Sequence, residues 1–335
     1  MKRKTGVSSR DVAREAGVSQ ATVSYILNDV KNVRIRPETR EAVMNAVKKL
    51  NYYPNQIARG MKLNKSMSIG VVTERNITNF YFTKTLEGIK DGTQEHNYSI
   101  TLLLDKAEDI AEREFVKYYS SNRVDGIIFA FADVEESTIN YLNEKNIPFV
   151  VVDAEASGHD VHEVCTDQLD HMQEVLQYFK SRGIERIGYA GPIPKSGQDR
   201  RLKSFLKAAE NTGFAIDKSQ IAQSVFSDKE ITAVITELLN KEERPEAIIA
   251  TSPRFGLLTI KCALRLGIKV PDELRIIAFG TSNFYDISHP SLSAVELPLC
   301  DMGYRAAQML FDIISGQEVE KTVVLPSEFV IRDSS

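Results

Sequence analysis

The stretch DVAREAGVSQATVSYILN, residues 11–28, places a glycine between two short helical patterns, and few folds accommodate this arrangement. Ser8 and Asp11 have the spacing of a capping box in front of the first helix. Gly17 supplies the turn, because glycine adopts a positive φ angle without steric cost. Ser19 is the predicted N-cap of a second helix, whose apolar residues share one face. Two short helices joined by a sharp turn are typical of a helix-turn-helix, whose second helix fits the major groove of DNA.

A third helix is predicted from Pro37 to about Leu50, since proline suits the first position of a helix. Apolar residues recur at helical spacing in all three segments, and together they predict a small three-helix core. These residues are Val12, Ala13 and Ala16, then Val23, Ile26 and Leu27, and finally Val43, Ala46, Val47 and Leu50. Arg36 precedes the third helix and has no side-chain acceptor, so we expect the helix to lack a capping bond worth about 1 kcal/mol.

Charge is unevenly distributed along the chain. Residues 1–65 contain 14 lysine and arginine residues against five acidic residues, whereas residues 66–335 contain 28 against 41. A basic segment suggests a polyanion partner, because lysine and arginine release counterions from phosphates. A solvated basic tail is the alternative, and the helix signals in the same segment weigh against it.

Length and composition indicate a globular protein of about two domains. The chain has 335 residues, 42% of them hydrophobic. No run approaches the roughly 20 apolar residues of a membrane helix, and no apolar segment follows the basic N-terminus, so we expect a cytoplasmic protein without membrane contact. The three cysteines lack metal-ligand spacing, and the pair His159 and His162 suits a surface loop. We therefore expect no metal and no cofactor.

From residue 68 onward, short apolar runs alternate with helical stretches of a dozen or more residues. The runs are SIGVV, SITLLL, GIIFAF, PFVVVD, RIGYAG, AIIAT and RIIAFG. Such alternation favours βαβ units with parallel sheets, and the continuous hydrophobicity predicts strands that are covered on both faces. The number of units and a break near Val164 predict two similar lobes. A ligand is then expected between the lobes, at the carboxyl ends of the strands.

The motifs DVAREAGVSQATVSYILN, PETREAV and LNYYPNQIARGM resemble the DNA-binding headpiece of the LacI/GalR family of bacterial transcriptional regulators, and the likeness continues through the whole chain. It implies a small all-α helix-turn-helix headpiece plus an α/β periplasmic-binding-protein-like core of two parallel-sheet lobes. The corresponding domains are a DNA-binding domain at residues 1–53, a hinge helix and linker at 54–66, and an effector-binding and dimerisation core at 67–335. The resemblance also implies a homodimeric repressor that is not an enzyme. Its affinity for a near-palindromic double-stranded operator would be changed by a small-molecule effector.

The resemblance assigns base-reading positions on the second helix to Gln20, Ala21 and Tyr25. Glutamine can bond adenine through two hydrogen bonds, and alanine can contact the methyl group of thymine. Further residues match positions that hold phosphates or pack the helix, which orients the protein without reading sequence. They are Ser19, Thr22, Ser24 and Asn28, of which Ser24 is equally open to a plain solvent-facing role.

In the hinge, Asn55, Ala58 and Met61 match a short family helix that orders on the operator and pairs with its dimer mate. Met61 stands where the family has a leucine that is inserted between base steps, and methionine can also unstack a base step. Gly60 lowers helicity by roughly 1 kcal/mol, so we expect the hinge to depend more strongly on DNA for folding. A plain interdomain linker is the alternative.

In the core, strand ends and the resemblance together indicate the effector-binding positions Phe80, Tyr81, Asp153, Arg201, Phe226, Ser252 and Gly280. Arg201 matches an effector-binding arginine, whose guanidinium suits oxygen-rich ligands. Asp153 could accept bonds from ligand hydroxyls or cap a helix, and Phe226 could stack on a ligand or lie in the core. Ser252 and Gly280 replace an asparagine and an aspartate of the family. The family implies a carbohydrate effector, and these two replacements remove the usual contacts to sugar hydroxyls.

Two alternatives use the same core fold, namely a solute-binding protein of transport and an α/β enzyme. The first needs a signal peptide where this chain has a basic helix-turn-helix, and the missing cleft acids argue against the second. If the protein is a dimer, we expect its contacts on the helix that follows NFYF and on the helix in CDMGYRAAQMLFDII.

Overall fold

The computed structural model describes residues 7–27, 33–53, 60, 65–73, 79–103, 110–132, 134–153, 160–193, 200–225 and 227–335. The chain divides into two compact units, Met1–Met67 and Ser68–Ser335, which we name the headpiece and the core. Among the described residues, no helix combines the length and the hydrophobicity that crossing a bilayer requires.

The described part of the headpiece contains three helices: α1 (Ser9–Glu15), α2 (Gln20–Leu27) and α3 (Pro37–Lys49). The predicted start of α1 is confirmed, because the Asp11 carboxylate accepts hydrogen bonds from the Ser8 backbone N–H at 3.0 Å and from the Ser8 hydroxyl at 2.7 Å. Gly17 has the expected positive φ angle of +66°. The Ser19 hydroxyl accepts a bond from the Thr22 backbone N–H at 3.1 Å and so caps α2.

A small apolar core joins the three helices. Its fully buried members are Val12, Ala13, Val23, Ile26, Val43 and Ala46. Burying one valine or isoleucine side chain stabilises a fold by about 1.5–3 kcal/mol, so this cluster accounts for much of the cohesion of the headpiece. Because α2 places Val23 and Ile26 inward, its opposite face remains open to solvent.

The start of α3 offers a direct test of helix capping. Arg36 occupies the N-cap position in an extended conformation and makes no side-chain capping bond. The Arg36→Ser change is therefore expected to stabilise the headpiece by about 1 kcal/mol. Hydrogen–deuterium exchange of the α3 amides in the full chain would measure this gain. The Arg34→Ser variant removes the same charge outside the cap, so equal protection in both variants would contradict the capping explanation.

In the core, strands and helices alternate as the apolar runs predict. The described strands are β1 (Ser68–Val72), β2 (Ser99–Leu103), β3 (Ile127–Ala130), β4 (Phe149–Val152), β5 (Glu163–Thr166), β6 (Ile187–Pro192), β7 (Ile221–Ser224), β8 (Ala247–Ala250), β9 (Arg275–Phe279), β10 (Ser293–Glu296), β11 (Thr322–Leu325) and β12 (Glu328–Val330). The described helices are α4 (Phe80–Glu95), α5 (Glu114–Ser120), α6 (Glu136–Glu144), α7 (Gln168–Ser181), α8 (Arg200–Thr212), α9 (Asp228–Leu239), α10 (Pro253–Arg265) and α11 (Leu299–Ile314).

The strands form two sheets, one in each lobe. The first sheet has the order β11-β5-β4-β3-β1-β2, and its described neighbours are all parallel. The second has the order β12-β10-β9-β8-β6-β7 and is parallel except where β12 meets β10. Together with the three-helix headpiece, this architecture confirms the predicted fold class.

The chain crosses between the lobes three times. It leaves the first lobe between Thr166 and Gln168, two residues beyond the break expected near Val164, which itself lies on β5. It returns between β10 and α11, whose apolar residues join the core of the first lobe. It passes into the second lobe again between β11 and β12. The apolar runs alone did not predict these last two crossings.

One expectation about the strands is wrong. The run SITLLL was predicted to be covered on both faces, but β2 is largely open to solvent, and Leu102 is 43% exposed. The physical reason is position, because β2 is the edge strand of its sheet and, among the described strands, pairs with β1 alone. The strands β1, β3, β4 and β8 are buried throughout, as predicted.

Helices α4 and α11 lie in unusually close contact, which glycine makes possible. A β-carbon on Gly88 of α4 would overlap the carbonyl oxygen of Cys300 and would lie 2.8 Å from the backbone nitrogen of Tyr304. A β-carbon on Gly303 of α11 would in turn overlap the carbonyl oxygen of Thr85. These are the two helices on which dimer contacts were expected, and each buries one face against the other within the subunit. The dimer contacts stay a prediction.

Residues 332–335, which follow β12 and which we call the final segment, form hydrogen bonds with the rest of the second lobe. The Ser334 hydroxyl donates to the Ile276 carbonyl at 2.6 Å and accepts a bond from the Ser293 backbone N–H at 2.9 Å. Arg332 reaches Asp286 and Glu296, each at 2.6 Å. These contacts hold the final segment against β9 and β10.

Candidate functional site

The exposed face of α2 presents the predicted base-reading residues. Gln20 and Ala21 are exposed, and the Tyr25 side chain is 41% exposed although it is large and aromatic. The Gln20 side-chain amide donates to the Ser9 hydroxyl at 2.8 Å, which leaves its carbonyl oxygen and one N–H for another partner. Ser19 and Thr22 share a hydroxyl contact of 2.9 Å at the start of the helix. This face therefore offers hydrogen-bonding groups beside an exposed ring.

Several predicted site residues lie outside the described residues. They are Asn28, Asn55, Ala58 and Met61 of the DNA-binding set and Phe226 of the effector-binding set. His159 also lies outside them, and the described part of the chain contains no group of three histidine, cysteine or acidic side chains that could hold a metal ion.

In the core, the carboxyl ends of neighbouring strands carry unusual backbone conformations. Phe131 follows β3 with a φ angle of +54°, and Asp153 follows β4 with a φ angle of +45°. Non-glycine residues seldom adopt this left-handed region, and such strain concentrates at functional sites. These two conformations mark the carboxyl end of the first sheet as a candidate functional site.

Asp153 and Arg201 meet across the two lobes. Asp153 lies at the end of β4 in the first lobe, and Arg201 lies on α8 in the second, with 4.0 Å between Oδ2 and Nη2. Gln168, at the start of α7, donates to the other carboxylate oxygen at 3.5 Å. The Arg201 guanidinium also donates to the Thr251 carbonyl oxygen at the end of β8. The sequence predicted both charged residues as site members but did not predict their pairing.

Ser252 and Phe80 have structural contacts. Ser252 is the N-cap of α10, and its hydroxyl accepts a hydrogen bond from the Phe255 backbone N–H at 3.4 Å. Phe80 begins α4 and packs, half-buried, against the core of the first lobe. Asn79 precedes it and caps α4 by accepting a bond from the Tyr81 backbone N–H at 3.0 Å.

Tyr81 and Gly280 form the second contact between the lobes. The Tyr81 hydroxyl lies 3.4 Å from the Phe279 carbonyl oxygen, at the end of β9. The next residue, Gly280, has its own carbonyl bonded by the Tyr285 hydroxyl at 2.8 Å. Burial raises the pKa of Tyr285 well above its ordinary value, and the nearby Tyr81 raises it further. The phenol of Tyr285 therefore stays protonated and donates.

We use the term cleft for the region that these interlobe contacts define, at the ends of β3, β4, β8 and β9 and the starts of α4 and α8. The structure brings together Tyr81, Asp153, Arg201, Ser252 and Gly280 there. Sequence reasoning missed other members, namely Phe131, Gln168, Thr251 and Tyr285. Phe131 ends the predicted run GIIFAF and Thr251 ends the predicted run AIIAT, so the strand-end rule could have found both. Nothing in the sequence marks Tyr285.

Comparison with known proteins identifies one family pattern in the headpiece and another in the core. The family pattern "Bacterial regulatory proteins, lacI family" matches residues 10–55, and the pattern "Periplasmic binding protein-like domain" matches residues 176–335. Catabolite control protein A of Priestia megaterium is 27% identical over 332 residues, which cover 98% of this chain and 99% of that protein.

Solved structures support the fold. A lac repressor dimer bound to operator and the anti-inducer ONPF has a TM-score of 0.81 and 20% identity, covering 98% of this chain and 99% of that one. The transcriptional regulator CelR in complex with cellobiose has a TM-score of 0.71 and 23% identity, covering 98% and 100%. At these identities the likeness demonstrates the fold alone. The two family patterns together span more than half of the chain, and one lies within each of the two units of the structure. The chain belongs to the lacI family of bacterial regulatory proteins.

Proposed function

We propose that the protein is a sequence-specific DNA-binding transcriptional regulator, a repressor whose affinity for its operator changes when a small molecule binds in the cleft. The observation that carries this proposal is the exposed face of α2, within a three-helix headpiece that matches the lacI pattern. A homodimer would place two copies of α2 on two half-sites, so the operator would be close to palindromic. The protein would act in the cytoplasm, where such an operator lies.

On this proposal the α2 surface divides into two roles. Gln20, Ala21 and Tyr25 read base edges in the major groove, because they are exposed together on one face. Ser19 and Thr22 lie at the start of the helix, where hydroxyl and backbone N–H groups suit phosphate oxygens, and Ser24 is partly exposed beside them. Asn28, Asn55, Ala58 and Met61 keep their predicted roles at the helix end and in the hinge.

The proposal is tested by selecting duplexes from a random pool with the purified protein and titrating the preferred sequence at fixed salt. The selected sequence should be nearly palindromic. The Gln20→Ala change is expected to weaken its binding by about 5- to 150-fold per half-site, which corresponds to the 1–3 kcal/mol of a good side-chain contact to a base.

The same titration contains its control. Met44 is an exposed residue of α3 and not of the predicted base-reading helix, so the Met44→Ala variant should bind like the unchanged protein. Binding of unrelated DNA should change little in either variant, because phosphates dominate that affinity. If Gln20→Ala weakened preferred and unrelated duplexes equally, Gln20 would not be a base-reading residue.

The cleft is the proposed effector site. Asp153 and Arg201 supply a carboxylate and a guanidinium from opposite lobes, so a ligand that contacts either would change how the lobes are held together. Carbohydrate is one candidate class, since the CelR structure named above contains cellobiose. Tyr81, Ser252 and Gly280 line the same region, with Phe80 beside them and Phe226 as the predicted aromatic contact.

Binding without turnover is part of the proposal. The lacI family comprises regulatory proteins, which supports a cleft that recognises a ligand and releases it unchanged. Chromatographic recovery of a bound ligand after long incubation tests this point. Recovery of a converted product would instead support an enzyme on the same fold.

Effector binding is measurable as stabilisation of the core. Thermal unfolding against sugars, sugar phosphates, nucleobases and amino acids should reveal one class that raises the midpoint in a dose-dependent way. A ligand present at ten times its dissociation constant is expected to raise it by about 2–4 °C. That ligand should also change the affinity for the selected operator. A stabilising ligand that leaves DNA binding unchanged would contradict the coupling.

A further inference from the structure

Gly280 lacks the space for any side chain. Its φ angle is +109°, and a β-carbon built on it would overlap the Tyr81 hydroxyl oxygen and lie 2.5 Å from the Tyr81 Cζ atom. It would also lie 3.3 Å from the Pro253 Cδ atom. Tyr81 belongs to α4 of the first lobe, whereas Gly280 follows β9 of the second. The glycine therefore admits a side chain that comes from the opposite lobe.

The Tyr81 ring is held from several sides. The side chain is 9% exposed and belongs to the apolar core of the first lobe. Its ring meets Phe131 edge to face, with 5.8 Å between centroids and 77° between planes. The Asn79 cap fixes the backbone at its base, and the hydroxyl points to the Phe279 carbonyl oxygen. These contacts give the phenol one defined position at the end of β9.

The end of β9 is also a ligand position of the cleft, because ligands of parallel α/β folds bind beyond the carboxyl ends of strands. The Tyr81 phenol already lies there and already joins the lobes. We propose that Tyr81 is the specificity-determining residue of the cleft: its phenol occupies the ligand position at Gly280, and an effector has to displace it in order to bind. This inference rests on the proposed function of the cleft as an effector site.

The displaced contacts define the chemical class of the effector. A ligand that replaces the phenol has to present a flat ring edge to Phe131 and a donor to the Phe279 carbonyl oxygen. An aromatic or heteroaromatic ring with one O–H or N–H group meets both requirements. A polyhydroxylated sugar ring does not, because several of its hydroxyls would face the apolar surface that the Tyr81 ring now covers.

The test uses p-cresol, which has the shape of a free tyrosine side chain, as the probe of the full-length Tyr81→Ala variant. p-Cresol should raise the unfolding midpoint of this variant by about 2–4 °C near ten times its dissociation constant. It should stabilise the unchanged protein only at higher concentrations, because there it has to displace the Tyr81 phenol first. Toluene lacks the hydroxyl and should stabilise the variant less, and glucose should not stabilise it. The Tyr81→Ala, Gly280→Ala double variant should lose the response, because the added methyl group fills the same space. Equal responses of the unchanged protein and the variant to p-cresol, or no response of the variant, would overturn the proposal.

A double-mutant cycle keeps the proposal testable if Tyr81→Ala does not fold. The backbone strain of alanine at position 280 is common to both backgrounds, so it cancels in the comparison. Gly280→Ala should lower the midpoint far more in the unchanged protein than in a Tyr81→Leu background. Equal losses would overturn the proposal. Operator binding by the unchanged protein is measured in parallel, and its absence would refute the proposed regulator function, whereas a negative p-cresol result with intact operator binding refutes only the role of Tyr81.

Discussion

Replacement of Gly88 by alanine is expected to destabilise the core by at least about 3 kcal/mol, the upper range for overpacking, because here the added atom meets backbone. The new methyl group would overlap the Cys300 carbonyl oxygen and lie 2.7 Å from its carbonyl carbon. Backbone of α11 cannot rotate away as a side chain can. Helix α11 would have to move as a unit, and it carries Met302, Ala306 and Leu310 of the first lobe's apolar core.

The sign of this effect separates packing from helix propensity. Within an isolated helix, alanine is favoured over glycine by about 1 kcal/mol, so propensity alone predicts that Gly88→Ala stabilises the protein. Denaturant unfolding of the full chain distinguishes the two. The Lys90→Ala variant, at an exposed position of the same helix, should stay within about 0.5 kcal/mol of the unchanged protein. A stabilised Gly88→Ala variant would show that α4 and α11 can separate at little cost.

The second large effect is expected at Arg332, whose side chain is only 15% exposed. Its guanidinium contacts Asp286 and Glu296 at 2.6 Å and donates to the Leu292 carbonyl oxygen at 3.2 Å. Arg332→Ala should destabilise the second lobe by about 3 kcal/mol, because it leaves the less exposed partner, Glu296, without its counter-charge. Urea unfolding followed by circular dichroism measures the loss.

Variants of the partners locate the source of that loss. Asp286 is 80% exposed, so Asp286→Asn should cost less than about 1 kcal/mol. The loss of stability in Arg332→Lys should lie between those of Asp286→Asn and Arg332→Ala, since an ammonium group cannot bind both carboxylates and the carbonyl with the geometry of a guanidinium. If Asp286→Asn lowered the free energy of unfolding as much as Arg332→Ala, the exposed ion pair with Asp286, rather than the pair with Glu296, would hold the final segment in place.

Local features of this fold were predictable because their causes lie within a few residues. The Ser8 and Asp11 capping contact, the positive φ angle of Gly17 and the missing cap at Arg36 each depend on short-range chemistry. Strand positions followed from apolar runs for the same reason. The exposure of β2 did not follow, because it depends on which strands lie beside it in the sheet and not on its own residues.

The sequence predicted several residues of the cleft, but it did not predict which of them contact each other across the two lobes. Asp153 follows a strand and Arg201 matches a family position, yet their approach depends on how two lobes close on each other. Gly280 was noted for the aspartate that it replaces. In the structure, a glycine is needed at position 280 because Tyr81, which lies 199 residues earlier in the chain, occupies the space beside it. Contacts of this kind connect residues that no local pattern relates.

The last strands of the chain, β11 and β12, complete the two sheets, so they also determine when each lobe can finish folding during synthesis. The first lobe receives its edge strand β11 from residues 322–325, and the second receives β12 from residues 328–330. A ribosome adds about 5–20 residues per second, so more than a quarter of a minute passes before either sheet can be completed. From its own synthesis until β11 is made, β5 keeps one edge without its partner strand, and β10 does so until β12 is made. Such an edge can pair with strands of other nascent chains. We therefore expect aggregation of the nascent chain to fall once residues 322–330 have been made.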